Sequence, residues 1–286
     1  MSRSRWSRGG TLAICTAVAV AGGCAKKEAE PVAQTAPNHV VVTATDFAFR
    51  APDTVPAGLA MIHLVNKGPS LHHLQLVQRD SGKTLGDLMA AMKNPGPPPA
   101  WVHFVGGPNA TVPSGVDTSV VYATLTAGNY ALLCFVPDTA GRPHFMLGMA
   151  RALTVAASNA TPMMAPHPDV MIHLKDYDFT VVGNLTAGAH TIGVINDGPQ
   201  PHELVLVQLA PRKKAMDLVK WVLDQHMKGM PPGKPMGGTT GLDPRAHATL
   251  AVTFAKGNYG LICFLPDAKD GKEHALHGMV KDITVD

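Results

Sequence analysis

The sequence predicts an all-β chain of two tandem Greek-key β-sandwich domains, each with one short helix. Three observations predict it. The chain has 286 residues, a length suited to two domains. Its 28 Gly and 24 Pro punctuate short apolar runs, which is a turn-rich composition. It also repeats itself at an offset of about 130 residues, far longer than a solenoid period.

The repeat is visible residue by residue. Asp46-Phe47-Ala48-Phe49 returns as Asp176-Tyr177-Asp178-Phe179, and Leu64 to Pro69 returns as Val194 to Pro199. Leu76-Val77-Gln78 matches Leu206-Val207-Gln208, and Gly128-Asn129-Tyr130 matches Gly257-Asn258-Tyr259. His144 through Val155 matches His274 through Val285. The copies are placed at 39–155 and 169–286, joined by a linker at 156–168 rich in Ala, Pro, Ser and Asn.

In copy one, Val40 to Ala44, Leu59 to Val65, Leu74 to Val77, Ser119 to Leu125 and Tyr130 to Val136 are expected strands. They are β-branched or alternating and bounded by Gly, Pro or Asn. Leu85 to Met92 and Lys214 to Met227 are the expected helices; in the second, Met216, Val219 and Val222 recur at helical spacing. Pro95 to Pro99 and Pro231 to Pro235 are expected loops.

The N-terminus reads as a signal peptide over 1–23. Arg3, Arg5 and Arg8 precede an apolar run, Thr11 to Ala21, too short to span a bilayer. Ala21-Gly22-Gly23 before Cys24 predicts a lipoprotein-type signal with Cys24 lipidated; ordinary cleavage nearby is the alternative. Either way the chain is expected outside the cytoplasm, in the periplasm or at the cell surface, lipid-anchored to a membrane or otherwise secreted. Residues 24–38 are a polar tether. The net charge of +3 is small and the basic residues are scattered, so nucleic acid is not an expected partner.

Of four cysteines, Cys15 leaves with the signal and Cys24 is the lipid candidate. Cys134 and Cys263 remain, each the only thiol of its copy. In an oxidising compartment such a thiol is a disulfide partner, an inert core residue or a metal ligand. Each copy surrounds its cysteine with the same residues. Asn66 leads to His72 and Asn196 to His202; Gly-Asn-Tyr precedes Cys134 and Cys263; His144 is followed by Gly148-Met149 and His274 by Gly278-Met279. Two imidazoles, a thiolate and a thioether suit copper in both oxidation states.

In these motifs the chain resembles the plastocyanin-like blue copper (cupredoxin) family, in two tandem copies. The resemblance implies a cupredoxin-like fold, copper as cofactor and electron transfer with a redox protein partner. It implies the metal ligands His72, Cys134, His144 and Met149 in copy one, and His202, Cys263, His274 and Met279 in copy two. One feature departs from the family. Nine residues separate Cys134 from His144 and ten separate Cys263 from His274, where the family has only a few. Pro, Asp and Gly in both stretches allow an extra turned-out loop.

Strand phase chooses between adjacent histidines. His72, Leu74 and Leu76 share one face, and His73 and Gln75 the other. His72 is therefore the ligand candidate; His73 and its counterpart Glu203 are expected on the outer face or behind the ligands. A lone strand histidine is more often structural, and a buried free thiol is a common core residue. Four donors in family order, twice, outweigh those readings.

Copper delivery or storage is the alternative function, suggested by His226, Met227, Met230 and Met236 in one loop, although packing is the better reading of those methionines. A cupredoxin-fold module without metal is another. No enzyme is expected: multicopper oxidases and nitrite reductases use histidines flanking the cysteine and H-x-H pairs. Here Leu133 and Phe135 flank Cys134, Ile262 and Phe264 flank Cys263, and H-x-H is absent. Phe145, Met146 and Leu147 in copy one, and Ala275 and Leu276 in copy two, are expected to form an apolar rim for the partner.

Overall fold

The computed structural model describes residues 32–33, 36–94, 96–113 and 118–286. The signal-peptide reading, Cys24 and most of the expected tether lie outside the described residues. The tether's described end does not hang free, since Val32–Ala33 pairs in parallel with Ala160–Thr161 of the expected linker. Among the described residues no helix is long and apolar enough to cross a membrane.

The strands come from apolar alternation. In Asn38–Thr45 the side chains of Val40, Val42 and Ala44 are buried, while Val41 points out. In Gly58–Asn66, Ala60, Ile62 and Leu64 are buried on the same core side. These strands build two sheets that both run unbroken through the two repeats. One is ordered Val280–Val285, Gly257–Ile262, His202–Leu209, Gly233–Leu242, Val102–Gly106, Gln75–Arg79, Gly128–Leu133, Ala150–Ala156, Thr54–Pro56. The other is ordered Asp178–Val182, Val170–Lys175, Gly188–Asn196, His247–Phe254, Thr118–Leu125, Gly58–Asn66, Asn38–Thr45, Ala48–Arg50.

Corresponding strands stand at mirrored places on either side of each sheet's centre. The copies therefore meet as a pseudo-twofold pair, strand edge to strand edge. Leu242 pairs with Val105, and Thr249 and Leu250 pair with Tyr122 and Val121. Each junction removes an open sheet edge that would otherwise invite pairing with another chain.

Of the strands at these junctions, Val102–Gly106 starts beyond the expected loop Pro95 to Pro99, whereas Gly233–Leu242 begins inside the expected loop Pro231 to Pro235. Pro235 sits in the second of them beside a register shift between Leu206 and Val207, a place where a missing N–H is tolerated. The helices span Leu85–Ala91 and Ala215–Leu223. The second ends before the expected Met227, because His226 and Met227 take left-handed backbone angles.

Each copy has its main core between the sheets, with Ile62, Leu64, Leu74 and Leu132 in copy one and Ile172, Val194, Leu204 and Leu261 in copy two. A second layer lies under each helix. Leu88 packs with Val77, Leu133 and Phe145, and Val219 with Val207 and Ile262. Of the two places expected for His73 and Glu203, the outer face does not hold, and each instead accepts the N–H of the residue after its cysteine. Both His73 and Glu203 are buried.

Candidate metal centres

In each copy the first histidine is placed by an asparagine-closed turn. Asn66 Oδ1 accepts the Gly68 N–H at 3.0 Å, and its Nδ2 donates to Ser70 and Thr111 carbonyls. Asn196 repeats this with Gly198, Gln200 and Leu242. The turn delivers His72 and His202, both fully buried, onto the core side of the sheet. Gly68 and Gly198 are required by space. A Cβ on Gly68 would lie 2.8 Å from His72 Nε2, and one on Gly198 would lie 2.6 Å from His202 Nε2.

The cysteine follows the Gly128–Leu133 strand in copy one and the Gly257–Ile262 strand in copy two. Both thiols are buried and free. The long stretch to the second histidine turns out and comes back. Pro137 bridges Pro143, Asp138 N–H donates to the Arg142 carbonyl, and His144 N–H donates to the Val136 carbonyl at 2.9 Å. In copy two Pro266 bridges Glu273, and His274 N–H donates to the Leu265 carbonyl at 2.8 Å. The extra residues sit beyond a closed neck, so their number does not move the histidine.

One 3₁₀ turn then carries each histidine, His144–Leu147 and His274–His277. It ends at Gly148 (φ 107°) and Gly278 (φ 105°), a left-handed geometry that glycine adopts without cost. The turn brings Met149 and Met279 back beside the cysteines. Met149 N–H donates to the His144 carbonyl and Cys134 N–H to the Met149 carbonyl, with the same pair of bonds in copy two. Both methionines are fully buried.

Three donor atoms converge in each copy. His72 Nδ1 lies 3.2 Å from His144 Nδ1, and Cys134 Sγ lies 4.0 and 3.6 Å from the two. His202 Nδ1 lies 3.1 Å from His274 Nδ1, with Cys263 Sγ 3.4 Å from the latter. Ligands about 2.0 Å (nitrogen) and 2.3 Å (sulfur) from one shared ion, set in a triangle, would stand about 3.5 to 3.7 Å apart. The observed spacing fits.

The protonation states suit the same purpose. His72 Nε2 meets Asp46 Oδ1 at 2.7 Å and His202 Nε2 meets Asp176 Oδ1 at 2.8 Å. The carboxylate fixes the proton on Nε2 and leaves Nδ1 bare toward the site. Burial would raise the Asp46 carboxyl, but hydrogen bonds from Ser70 and His72 hold it below its usual range. Burial lowers His144 and His274 to about 4, helped by the neighbouring imidazole, so both are neutral near pH 7. Burial pushes the Cys134 thiol up to about 12; Cys263 is raised by burial and by nearby Glu203. Each thiol keeps its proton until a cation displaces it.

The surroundings differ between copies. The Phe47 ring meets His144 edge-on, whereas Tyr177 takes that place near His274. Tyr177 donates to Asp267 at 2.6 Å, Gln200 donates to the same carboxylate, and Asp267 is held far below its usual range, first by Tyr177. Its Oδ2 lies 3.7 Å from His274 Nε2, a buried nitrogen with no hydrogen bond in the structure. Copy one has Asp138 at this place, turned instead to Arg142 at 2.8 Å. His73 Nε2 accepts the Phe135 N–H at 2.8 Å, and Glu203 Oε1 accepts the Phe264 N–H at 3.0 Å.

Asp46, Asp176, Tyr177 and Asp267 had no role in the sequence reading. The signal for the first two was present in the repeat, because an aspartate recurs at the same offset before each Asn-closed turn.

Each copy is thus a cupredoxin-like sandwich with a buried His-Cys-His group able to hold a metal ion. The donor set fits copper, since thiolate and imidazole are soft and borderline ligands. No family model and no curated protein matches the chain. Solved structures do. Reduced auracyanin from Roseiflexus castenholzii is 21% identical over 42% of this chain and 98% of its own, at a TM-score of 0.31. The copper-containing nitrite reductase of Thermus scotoductus is 13% identical over 88% of this chain and 62% of its own, at 0.25. The blue copper oxidase of Nitrosomonas europaea is 15% identical over 87% and 86%, also at 0.25. The fold is read from strand order and the sites from their donor atoms.

Proposed function

We propose that the chain is an extracytoplasmic electron carrier with two type 1-like copper sites. The ligands are His72, Cys134, His144 and Met149 in copy one, and His202, Cys263, His274 and Met279 in copy two. The supporting observation is the convergence of two bare imidazole nitrogens and a thiol, built twice from the same local devices. Bound copper supplies one-electron exchange between Cu(I) and Cu(II). The protein does the rest. Asp46 and Asp176 orient the first histidine; the closed neck and the left-handed glycine fix the second. A preset donor frame leaves little to rearrange when the charge changes.

Electron carriage is favoured over oxidase or reductase chemistry because Leu133, Phe135, Ile262 and Phe264 flank the cysteines, leaving no histidine to wire a further copper. Storage draws less support, because Met227 and Met236 pack into apolar clusters and Met230 alone of that trio stands out in solvent. The lipid anchor at Cys24 and the redox partner belong to this reading as well. Copper titration watched in the visible separates the functions. A carrier takes up one equivalent per copy with an intense thiolate-to-copper band that reductant bleaches reversibly. Colourless uptake of many Cu(I) equivalents would mean storage, and no uptake would leave a metal-free module.

A further inference from the structure

The two metal centres lie toward opposite ends of the molecule. In copy one the strand Thr118–Leu125 starts at the metal end, where Thr118 pairs with Val65, next to the Asn66 turn that delivers His72. It runs away to Leu125, opposite Gly58. In copy two His247–Phe254 repeats this, with His247 on Ile195 beside the Asn196 turn and Phe254 opposite Gly188. Across the junction these two strands run antiparallel, with Tyr122 on Thr249 and Val121 on Leu250. Carried on in the same register, Leu125 stands level with Ala246. The far end of copy one therefore lies beside the metal end of copy two. A surface hollow lined by Ala123, Thr124, Ala246 and His247 marks the meeting point.

Opposed ends follow from this way of joining two copies and by themselves assign no role. The exposed rims around the second histidines go further, because their chemistry differs. Beside His144, Met146 is exposed between half-buried Pro143 and Leu147. The loop before it offers Ala140, Gly141 and one cation, Arg142, already paired with Asp138 at 2.8 Å. Beside His274, Leu276 is exposed among Lys269, Asp270, Lys272 and His277, all in solvent. Asp270 lies 3.1 Å from the His277 ring and 3.8 Å from Lys272 Nζ. An apolar rim suits brief contact with an apolar face. A rim with charges of both signs selects a partner of complementary charge and steers its approach.

Resting on the copper reading above, we propose that the protein is a bridge that holds two redox proteins at once, one at each end. The copy-one end takes a partner with an apolar, weakly charged contact face, seated around Met146. The copy-two end takes a partner whose face carries charges complementary to Lys269, Asp270 and Lys272. The rims face away from each other, so neither partner covers the other's port. Each centre exchanges one electron with its own partner, which loses what the centre gains or gains what it loses; no bond forms or breaks.

The test uses the full copper-loaded chain with one centre at a time. Cys263→Ser keeps the copy-one centre and Cys134→Ser the copy-two centre. In each, Met146→Cys or Leu276→Cys carries a polyethylene glycol chain of protein size, which stands for a docked partner. The reference is the same protein without the introduced cysteine, treated alike. Electron exchange with cytochrome c is followed by stopped flow. The chain at position 146 should slow the copy-one centre about tenfold or more and leave the copy-two centre unchanged; at position 276 the reverse holds. Lys269→Glu with Lys272→Glu should speed copy-two exchange with this basic probe about tenfold, an effect that salt removes, and leave copy one unchanged. A chain at either position that slows both centres, or neither, would overturn the bridge. So would a charge reversal that acts on both centres alike or on neither. Absence of the band from both single-centre proteins would instead overturn the copper reading itself.

Discussion

Nε2 of His72 lies 2.7 Å from Oδ1 of Asp46, and Gly68 packs so closely on both that a Cβ there would sit 2.7 Å from the carboxylate oxygen. The aspartate, the glycine and the ligand histidine form one positioning unit. Asp46→Ala should lower copper affinity in copy one by about 10–100-fold and leave copy two unaffected. Gly68→Ala should do the same by displacing the pair. Site-resolved copper titration reads both. Equal affinity in the variants would show that His72 holds its orientation without them.

The sites should have different potentials. Asp267 presents a carboxylate to His274 Nε2 at 3.7 Å, whereas its counterpart in copy one, Asp138, is turned to Arg142. Asp267→Asn should raise the copy-two potential by about 59 mV or more, the equivalent of a tenfold change for a one-electron couple. Spectroelectrochemistry of the two bands measures it, and a single unresolved potential before and after the change would contradict it.

Acid should unfold the metal-free protein over a defined window. His144 and His274 titrate near 4 and His73 near 3 in the folded state, all lowered first by burial from about 6.5 in the unfolded chain. Between these values the unfolded chain binds more protons at the three histidines, so their contribution falls as pH drops from ~6.5 toward 4, by on the order of a few kcal/mol, offset in part by Glu203, which burial raises to about 7. Denaturant midpoints across pH 4 to 8 should follow that curve. Copper-loaded protein should resist until the metal is displaced.

The apolar rim divides in two. Phe145 is buried against Val77, Leu88 and Leu133, while Met146 is 48% and Leu276 is 51% exposed beside the buried histidines. Phe145→Glu should unfold copy one or bleach it, because it buries a charge. Met146→Glu and Leu276→Glu should keep colour and slow exchange with a redox partner. Stopped-flow exchange alongside visible spectra distinguishes the classes.

Much of the fold and the inner site could be read from local pattern. Alternation marked the strands around Val42, Ile62 and Val121, and the order His, Cys, His, Met appeared twice. What stayed hidden was non-local. Val102–Gly106 and Gly233–Leu242 are strands because they pair with Gln75–Arg79 and His202–Leu209 of their own copies, far away in sequence, and glycines at 237 and 238 with left-handed angles disguise the second. The burial of His73 was hidden because Phe135, whose N–H it accepts, lies far away in sequence. Asp267 looked like a loop residue because its partners, Tyr177 and Gln200, lie far away in sequence.

The most direct test of the paired copper sites is the visible spectrum of three copper-loaded variants. Cys134→Ser and Cys263→Ser should each lose one thiolate-to-copper band and one tightly bound equivalent, and the double variant should be colourless. A band that survives in the double variant, or an unaltered protein that binds no copper, would contradict the assignment.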